Sequence, residues 1–422
     1  MISVKNNSLF IGEVAASGLA RTFGTPLYAY DEETIRSKVR ALVQNIAYRP
    51  LRIFYAAKAN TNLSVLKIIR DEGKGVIGID AVSPGEIEIA LKAGFKPGQV
   101  IFTSTSVTDD EMKFAISKKV LVNCDSLSQM ERYGRLNPNS NVCFRVNPDV
   151  GAGHHGHVIT GGPESKFGIW AADVGKAFGI AAKYNLRIVG IHEHIGSGIL
   201  ETGKFVAAMN VLLSIIEKNK SKLSQLEFVD FGGGIGVPYR PDQKPINFKT
   251  FGPAVSRLFS DFCSRFGKKL SLTMEPGRFI VAESGVLLCT VNTIKQTPKH
   301  RFVGVDTGFH HLIRPMAYGS YHPIVVVDNC GGNSGKKEKV AVCGNICESG
   351  DVFTRDEKGI VDRDLPIVKE GDVLAILVAG AYGFSMSSNY NTRPRPAEVL
   401  VSGRDVRVVR KREGMAHVIY GM

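Results

Sequence analysis

The feature that most constrains the fold is a regular alternation of short apolar runs with amphipathic stretches, beginning at Arg52. The apolar runs lie at 52–57, 76–80, 99–103, 120–124, 142–147, 187–195, 226–232 and 270–276. About eight β–α alternations over roughly 230 residues is the count expected of a (β/α)₈ barrel. A doubly wound sheet is the rival architecture and would normally have fewer strands. The sequence therefore predicts a TIM barrel.

After Arg278 the pattern changes to strand-like runs divided by Gly, Pro and Asn turns. These runs lie at 281–291, 301–305, 324–328, 339–342, 373–378, 398–401 and 406–409. Such a series is typical of a β-sandwich or β-barrel domain. Residues 1–30 hold further short strand-like pieces, and Asp31 is a plausible N-cap for the helical stretch that follows. The predicted domains are a barrel at 31–280 and a β domain formed by 1–30 with 281–422.

The charge balance argues against a nucleic-acid partner. The net charge is +13 in 422 residues, but the basic residues are spread along the chain and no nucleic-acid motif accompanies them. Small anionic molecules are the better expectation for ligands.

Cysteine usage and hydropathy bear on location. The seven cysteines are scattered, odd in number and without a CxxC pair, which favours reduced thiols over disulfides or a zinc finger. No apolar run approaches the roughly 18–20 residues that a membrane span needs, and the first residues lack the apolar core of a signal peptide. We expect a cytoplasmic protein with no membrane association.

The stretch RIFYAAKAN (52–60) contains the first candidate catalytic residue, Lys58. An ammonium at the end of an apolar strand is costly to desolvate, and burial lowers the pKa of an amine toward the range where it is nucleophilic. In parallel α/β proteins the carboxyl ends of strands carry the chemistry, and Asn60 and Asn62 can begin a helix there. Lys58 is thus a candidate Schiff-base lysine for an aldehyde cofactor. A solvated lysine at a strand end is the alternative.

Polar residues recur at the other predicted strand ends, as a barrel active site requires. They are Asp80, Asn123, Arg145, Asn147, His192, His194, Asp230 and Glu275. The segment 229–239 has three successive glycines, and with EPGR (275–278) it could bind one phosphate after the seventh and eighth strands. A flexible turn is the alternative. Glu275 could keep a pyridine nitrogen protonated, or could pair with Arg278.

Histidines and long loops leave further possibilities open. His192 and His194 would face the same side of a strand, and His154, His155 and His157 follow one another closely. No matching carboxylate or cysteine spacing supports a metal, so we predict none and expect one imidazole to stack on a flat ring. The loop at 148–168 is a candidate lid or a surface excursion.

Two turns in the second domain contain reactive residue types. They lie at 344–353 and 380–391 and carry a thiol, a carboxylate and tyrosines. Such groups could donate protons or bind substrate, although Cys347 alone is also compatible with an inert buried thiol.

Taken together, these motifs resemble one family, the alanine-racemase-like, fold type III pyridoxal-phosphate decarboxylases. The resemblance rests on FYAAKAN, RVNPDVGAGHHGHVITGGPESKFGIW, GIHEHIGSG, FGGGIGVPY, MEPGRF, IRPMAYGSYHP, CESGDVF and GAYGFSMSSNYNTRP. They run from Phe54 to Pro394, and their order and spacing fit. One departure is Gly198, where many relatives carry Gln, and it bears on subfamily placement.

The resemblance implies a role for each matching residue. Lys58 would hold pyridoxal 5'-phosphate covalently, His194 would stack on its ring, and Glu275 would pair with the ring nitrogen. The other implied cofactor-binding residues are Asp80, Ser197, Gly232, Gly233, Gly234, Gly236, Pro276, Gly277, Arg278 and Tyr382. The implied substrate-binding residues are Arg278, Arg314, Tyr318, Glu348 and Tyr382. Cys347 would return a proton to carbon.

The implied reaction is decarboxylation of meso-2,6-diaminopimelate to L-lysine and CO2, the last step of lysine biosynthesis. The implied assembly is a head-to-tail homodimer whose active sites take residues from both chains. A decarboxylase acting on ornithine, D-lysine or a siderophore precursor remains an alternative, although a plain diamine end needs no distal carboxylate clamp. A non-catalytic relative is the other alternative, and it would be expected to have lost Lys58 or Cys347.

Overall fold

The computed structural model describes residues 1–149, 162–330 and 335–422, and the chain divides into two compact units. The first unit, the barrel unit, comprises Val39–Val237 and Lys244–Phe279. The second, the β unit, comprises Met1–Lys38, Pro238–Gln243 and Ile280–Met422. The domain limits predicted from the sequence, 31–280 and 281–422 with 1–30, stay a prediction.

The regular elements of the described residues are numbered in chain order. The strands are β1 Ser3–Lys5, β2 Ser8–Ile11, β3 Val14–Ala15, β4 Leu27–Asp31, β5 Leu51–Ala56, β6 Ile77–Ala81, β7 Val100–Ser104, β8 Leu121–Cys124, β9 Asn141–Asn147, β10 Ile169–Trp170, β11 Arg187–His192, β12 Phe228–Asp230, β13 Ser271–Met274, β14 Gly285–Gln296, β15 Arg301–Val305, β16 Ile324–Val326, β17 Lys337–Cys343, β18 Arg355–Asp356, β19 Gly359–Ile360, β20 Arg363–Pro366, β21 Val373–Ile376, β22 Ala397–Ser402 and β23 Asp405–Arg410. The helices are α1 Ala16–Phe23, α2 Glu32–Asn45, α3 Leu63–Gly73, α4 Pro84–Lys92, α5 Asp109–Ser117, α6 Leu127–Leu136, α7 Val174–Lys183, α8 Thr202–Lys218, α9 Phe248–Phe266, α10 Arg278–Val281, α11 Arg314–Tyr318 and α12 Met415–Val418.

Parallel strands close into a barrel in the barrel unit. Their order around the ring is β9-β11-β12-β13-β5-β6-β7-β8, and the pairing of β8 with β9 closes it. Each of these strands is followed by a helix, from α3 after β5 to α10 after β13. The predicted (β/α)₈ barrel is confirmed.

Several barrel helices begin at a polar side chain that caps their first turn. Asn62, Ser83, Thr108 and Ser126 each accept a hydrogen bond from a backbone N–H of the first helical turn. Asp31 does the same for α2, accepting from the N–H of Thr34 at 2.7 Å. These caps satisfy N–H groups that have no partner inside the helix, so the starts of these five helices are encoded locally.

Aromatic side chains fill one end of the barrel interior. Phe54 and Phe228 are buried there in one apolar cluster, and each lies against a glycine. A Cβ on Gly78 would lie 2.8 Å from the Phe54 ring, and one on Gly190 would lie 2.1 Å from the Phe228 ring. The Arg52 guanidinium lies 5.0 Å and 5.6 Å from the two ring centroids. Large and small side chains thus alternate to close this end, which we call the floor.

A mixed sheet forms the core of the β unit. Its order is β20-β17-β15-β14-β4-β22-β23, with β21 pairing β14 and β16. Strand β4 pairs with β14 antiparallel and with β22 parallel, so the N-terminal segment contributes a central strand. The prediction that the second part of the chain is rich in β structure is confirmed.

Some sequence interpretations of this unit were wrong in detail. The run predicted as a strand from Val281 begins instead with α10 and a short 3₁₀ turn over Ala282–Ser284, and the strand starts at Gly285. A Cβ on Gly285 would meet the Cα of Gly380 at 2.5 Å, so the strand begins where two backbones approach closely. Helix α1 was missed because its Leu19 and Ala20 give only one turn of helical periodicity. Most of the predicted lid, 150–161, lies outside the described residues.

The structure also shows the apolar character of the helices and the state of the cysteines. Within the described ranges, no helix combines the length and the apolar character needed to cross a membrane. All seven cysteines are free thiols, as expected from their scattered spacing.

The packing of α9 on the end of α2 gives a stability test. A Cβ on Gly252 would lie 1.9 Å from the carbonyl oxygen of Asn45, so Gly252→Ala should lower the free energy of unfolding by about 1–3 kcal/mol through overpacking. Gly179 lies on the exposed side of α7 with no atom within 4 Å. Gly179→Ala should raise that free energy by about 0.5–1 kcal/mol. Urea unfolding of both variants checks the pair, and equal effects would contradict the packing.

Candidate active site

Lys58 stands just past the end of β5, on a short 3₁₀ turn. Its Nζ lies 3.2 Å from Oδ2 of Asp80, at the neighbouring strand end on β6. The Lys58 side chain is 42% exposed and that of Asp80 is 0% exposed. The expectation of a desolvated lysine was therefore wrong. The buried group is its carboxylate partner, which orients an accessible amine.

Burial of Asp80 perturbs its acidity. Desolvation and the charge of Glu275 raise the pKa of Asp80 to about 7, and the Lys58 ammonium opposes that rise. Burial therefore favours the neutral form of the Asp80 carboxyl, while the ammonium beside it favours the ionised form.

Glu275 follows β13 and binds His192, the last residue of β11. His192 Nε2 and Glu275 Oε2 are 2.9 Å apart. Burial raises the pKa of Glu275, but the neighbouring charges of His192, Lys58 and Arg145 outweigh it, and the net shift is downward. Glu275 is thus an anion whose Oε1 has no hydrogen-bond partner among the described residues. That orphaned oxygen can accept a bond from a protonated ring nitrogen.

His194 lies two residues beyond the end of β11. Its Nδ1 accepts a hydrogen bond from the N–H of Gly233 at 2.9 Å, so the proton of the neutral ring is on Nε2. Desolvation, with the charges of Arg145 and Lys58, lowers the pKa of His194 well below its usual value. A neutral, oriented imidazole suits stacking on a flat cofactor ring.

The glycine loop after β12 packs backbone against backbone. A Cβ on Gly233 would lie 2.2 Å from the carbonyl oxygen of Glu275, and one on Gly234 would lie 2.6 Å from that of Gly196. The N–H of Gly232 already donates to Oδ1 of Asp230, and that of Gly236 to Ile199. The glycines therefore allow three loops to approach one another closely. Because several of their N–H groups already bind acceptors within the protein, fewer are available to bind a phosphate than the sequence suggested.

Arg278 joins this loop cluster. Its Nε and Nη2 lie 3.2 Å and 3.1 Å from Oγ of Ser197, and its side chain is buried. The alternative reading of Glu275 as a partner of Arg278 gives way to the His192 contact. Pro276 and Gly277 connect the two residues, and the carbonyl of Pro276 accepts from the N–H of Ala56.

Four of these residues, Lys58, His192, His194 and Glu275, line one cavity of about 320 Å³ in the barrel unit. It is lined by Lys58, Val82, Thr103, Ser104, Thr105, Asp125, Arg145, Phe167, His192, His194 and Glu275. The volume suits a small cofactor. An amine, a stacking imidazole and a carboxylate with a vacant acceptor atom fit pyridoxal phosphate.

Several lining residues were missed from the sequence. Thr103 to Thr105 lie at the end of an apolar run, so their position at a strand end could have identified them. Phe167 belongs to the stretch predicted as a lid, 148–168, and nothing in its spacing indicated contact with the cavity. It lies 4.6 Å from the Arg145 guanidinium, while the next residue, Gly168, donates to Asp125.

The described residues contain one group that could hold a metal ion, formed by His192, Asp230 and Glu275 with ligand atoms within 4.8 Å of one another. His192 Nε2 already binds Glu275, and Asp230 Oδ1 already accepts from Gly232. The absence of a metal stays a prediction.

The remaining predicted site residues belong to the β unit. Arg314 opens α11 and is 1% exposed. Its Nη1 lies 2.7 Å from Nε2 of His322, whose Nδ1 donates to the carbonyl of Leu377. Tyr318 ends the same helix. The two residues are therefore the first and the last of a five-residue helix.

Cys347, Glu348 and Tyr382 lie in turns of the same unit. Cys347 is exposed, contrary to the alternative of an inert buried thiol. The N–H of Glu348 donates to the carbonyl of Ile346. Tyr382 has a φ of 56°, in the left-handed region that bulky residues rarely adopt.

Glu193, between the two histidines, supplies a pH-dependent stability test. It is 1% exposed, its Oε2 has no partner among the described residues, and desolvation raises its pKa well above the usual value against the opposing charge of Arg145. The folded state therefore keeps a proton that the unfolded state releases above about pH 4.5. The contribution of Glu193 to stability therefore falls as pH rises, by up to about 1.4 kcal/mol per pH unit.

We expect Glu193→Gln to remove this dependence. Urea unfolding from pH 5 to pH 8 should give a difference in unfolding free energy between variant and wild type that grows steadily in favour of the variant. A constant difference across that range would contradict a protonated Glu193.

Comparison with known proteins identifies the family. Residues 32–282 match a family described as "Pyridoxal-dependent decarboxylase, pyridoxal binding domain". The chain is 47% identical over 418 residues to a diaminopimelate decarboxylase of Methanothermobacter thermautotrophicus, covering 98% of this chain and 95% of the relative. It is 36% identical over 408 residues to that of Escherichia coli K12, covering 95% and 94%.

Solved structures agree with these relatives. Diaminopimelate decarboxylase from M. jannaschii, in complex with L-lysine, superposes with a TM-score of 0.90 at 33% identity, covering 100% of this chain and 97% of that one. The Helicobacter pylori enzyme with L-lysine gives 0.86 at 32% identity, covering 95% and 98%. With a barrel cavity that fits the cofactor and near full-length similarity, the chain belongs to the diaminopimelate decarboxylase family of pyridoxal-dependent decarboxylases.

Proposed function

We propose that this protein is a pyridoxal-phosphate-dependent carboxy-lyase that converts meso-2,6-diaminopimelate to L-lysine and CO2. The observation that carries the proposal is the cavity of the barrel unit that Lys58, His194 and Glu275 line together. The relatives' activity supports the choice of substrate, because the similarity extends over nearly the whole chain.

The cofactor would be held by residues of the barrel mouth. When bound, pyridoxal phosphate supplies an electron-accepting ring that takes up the electron pair left by the broken C–C bond. Lys58 would hold the cofactor at its aldehyde group through Nζ, and Asp80 would orient that amine. Glu275 would keep the ring nitrogen protonated, and His194 would pack against the ring. The phosphate would lie among Ser197, Gly232, Gly233, Gly234, Gly236, Pro276, Gly277, Arg278 and Tyr382.

The substrate carries two carboxylates and two ammonium groups, so its far end needs both signs of charge. Arg278 and Arg314 would bind the distal carboxylate, because a planar guanidinium matches its two oxygens. Glu348 would bind the distal ammonium, and Tyr318 and Tyr382 would complete the substrate pocket with their hydroxyls.

Cys347 would complete the reaction. The bond between the α-carbon and its carboxylate breaks, CO2 leaves, and the electron pair remains with the carbon skeleton. The Cys347 thiol then gives its proton to that carbon, and the thiolate regains a proton from solvent. The net change is one carboxylate lost as CO2 and one proton gained.

We further propose a homodimer whose active sites combine the barrel residues of one chain with Cys347 and Glu348 of the other. We also propose a cytoplasmic location, in line with the scattered cysteines. Neither nucleic acid nor a membrane is a proposed partner.

The first test is spectroscopic. Purified protein with pyridoxal phosphate should show the absorbance band of the lysine-bound cofactor, and meso-diaminopimelate should yield equal amounts of lysine and CO2. Lys58→Ala should lose both the band and at least about 10³-fold of the activity. A band without lysine production would move the proposal to ornithine, D-lysine or a siderophore precursor as substrate. Absence of the band would overturn the enzyme proposal.

Mixing variants tests the shared active site. Lys58→Ala and Cys347→Ala should each be inactive alone. Random exchange of subunits should restore about a quarter of wild-type activity, because half of the dimers would contain one intact site of two. Mixtures as inactive as their components would show that Lys58 and Cys347 act within one chain.

A further inference from the structure

Backbone strain in the β unit is concentrated in one segment, 378–392. Twelve described residues other than glycine have positive φ, and most are Asn, Asp, Lys or Ser. The three that are β-branched or aromatic, Val378, Tyr382 and Thr392, all lie in this segment, each with a φ of 56°. Such conformations cost free energy and persist only where surrounding structure enforces them, commonly at functional sites.

Two neighbouring turns contact the C-terminal part of this segment and the residues just after it. The N–H of Ser388 donates to the carbonyl of His310 at 2.8 Å, and the Tyr390 ring stacks on Phe309 with centroids 5.6 Å apart. His311 Nε2 donates to the carbonyl of Pro394 at 3.1 Å. The segment is therefore tied to the turn at 307–311.

The turn that carries Cys347 is tied to the same place. Asp351, 4% exposed, accepts from the N–H of Phe309 at 2.7 Å and from the N–H of Ile346 at 2.8 Å. The N–H of Asn345 donates to the carbonyl of Thr307. One side of the Cys347 turn is thus anchored on a buried carboxylate.

Asn391 supplies the anchor on the other side. Its Oδ1 accepts the backbone N–H of Cys347 at 2.9 Å, while its own backbone has φ 56° and ψ 26°. Asparagine is the side chain best suited to combine a left-handed backbone with a carbonyl acceptor. The strained conformation aims that acceptor at the cysteine turn.

We propose that Asn391 is a positioning residue for Cys347, and that its hydrogen bond to the Cys347 N–H holds the thiol where proton transfer to the substrate carbon requires it. This inference rests on the proposed function only for the role of the thiol. The bond itself, between an exposed cysteine and the strained segment, stands without it. Proton donors lose efficiency steeply with small displacements, so fixing the backbone of the donor is a direct means of catalysis.

Two substitutions separate the acceptor atom from the backbone conformation. Asn391→Gly keeps the left-handed conformation but removes Oδ1. Asn391→Asp keeps an acceptor at the same place. Asn292, exposed on β14 in the same unit, gives a matched control, Asn292→Ala.

The experiment uses the holoenzyme and has two readouts. In Asn391→Gly, kcat for meso-diaminopimelate should fall about 10- to 100-fold, with KM changed less than about threefold and the cofactor absorbance band unchanged. Asn391→Asp should recover most of kcat, and Asn292→Ala should match wild type. The rate at which iodoacetamide alkylates Cys347, followed by peptide mass spectrometry, should change in the Gly variant and return toward wild type in the Asp variant.

The outcomes are distinct. A Gly variant with wild-type kcat and alkylation rate would overturn the positioning role, as would a loss confined to KM. A loss of kcat that Asn391→Asp does not recover, or an Asp variant that unfolds at a lower temperature than the Gly variant, would also overturn it. If wild type makes no lysine, the proposed function fails, while the alkylation comparison still decides whether Asn391 holds the turn.

Discussion

Closure of the parallel barrel is the constraint on which the site depends. Because all eight ring strands run in one direction, their carboxyl ends meet at one rim, and residues from far apart in the sequence become neighbours. Lys58 and Glu275 are separated by more than two hundred positions, yet both line the same cavity. No local interaction could bring them together. The parallel pairing of β13 with β5, the last and the first strands of the ring in the sequence, does so.

The rim also concentrates buried charge. Asp80, Asp230 and Glu275 are fully or nearly fully buried, and burial raises the pKa of Asp80 and Asp230 while leaving Glu275 an anion beside His192. Buried acids of this kind are costly for the folded state. Their cost is offset in part by Lys58 and by Arg145, which is itself buried and whose pKa burial lowers. At the same rim, the surroundings therefore raise the pKa of one carboxyl, Asp80, and lower that of another, Glu275.

Much of the fold and site could be predicted from the sequence, because the information was local. Apolar runs of strand length gave the barrel strands to within a few residues, and polar residues at their ends identified Asp80, His194 and Glu275. The failures had tertiary causes. Lys58 is exposed while its partner Asp80 is buried, which the sequence does not specify. Phe167 lies at the cavity next to Gly168, whose N–H donates to Asp125.

The glycine loop illustrates the same limit. The three successive glycines were predicted to lie at the rim, and they do. Glycine is required there mainly because neighbouring backbones approach closely, and less because N–H groups must bind a ligand. Similarly, the left-handed conformations of Val378, Tyr382 and Thr392 could not be foreseen, because nothing in the residue types favours them. They depend on tertiary contacts of the segment, such as the bond from the N–H of Ala379 to Gly285 and that from the N–H of Ser388 to His310.

The floor of the barrel has a consequence for how such a protein can change. Phe54 on β5 and Phe228 on β12 pack against glycines at the floor. The opposite ends of the same two strands lead to Lys58 and Asp230. Apolar packing and chemistry are therefore divided along each strand, a few residues apart. During evolution, the side chains at the rim could be exchanged, and the substrate with them. The packing of the floor would continue to specify the same closed barrel. In each of these strands, the residues that maintain the fold therefore lie at one end, and the residues that determine the chemistry lie at the other.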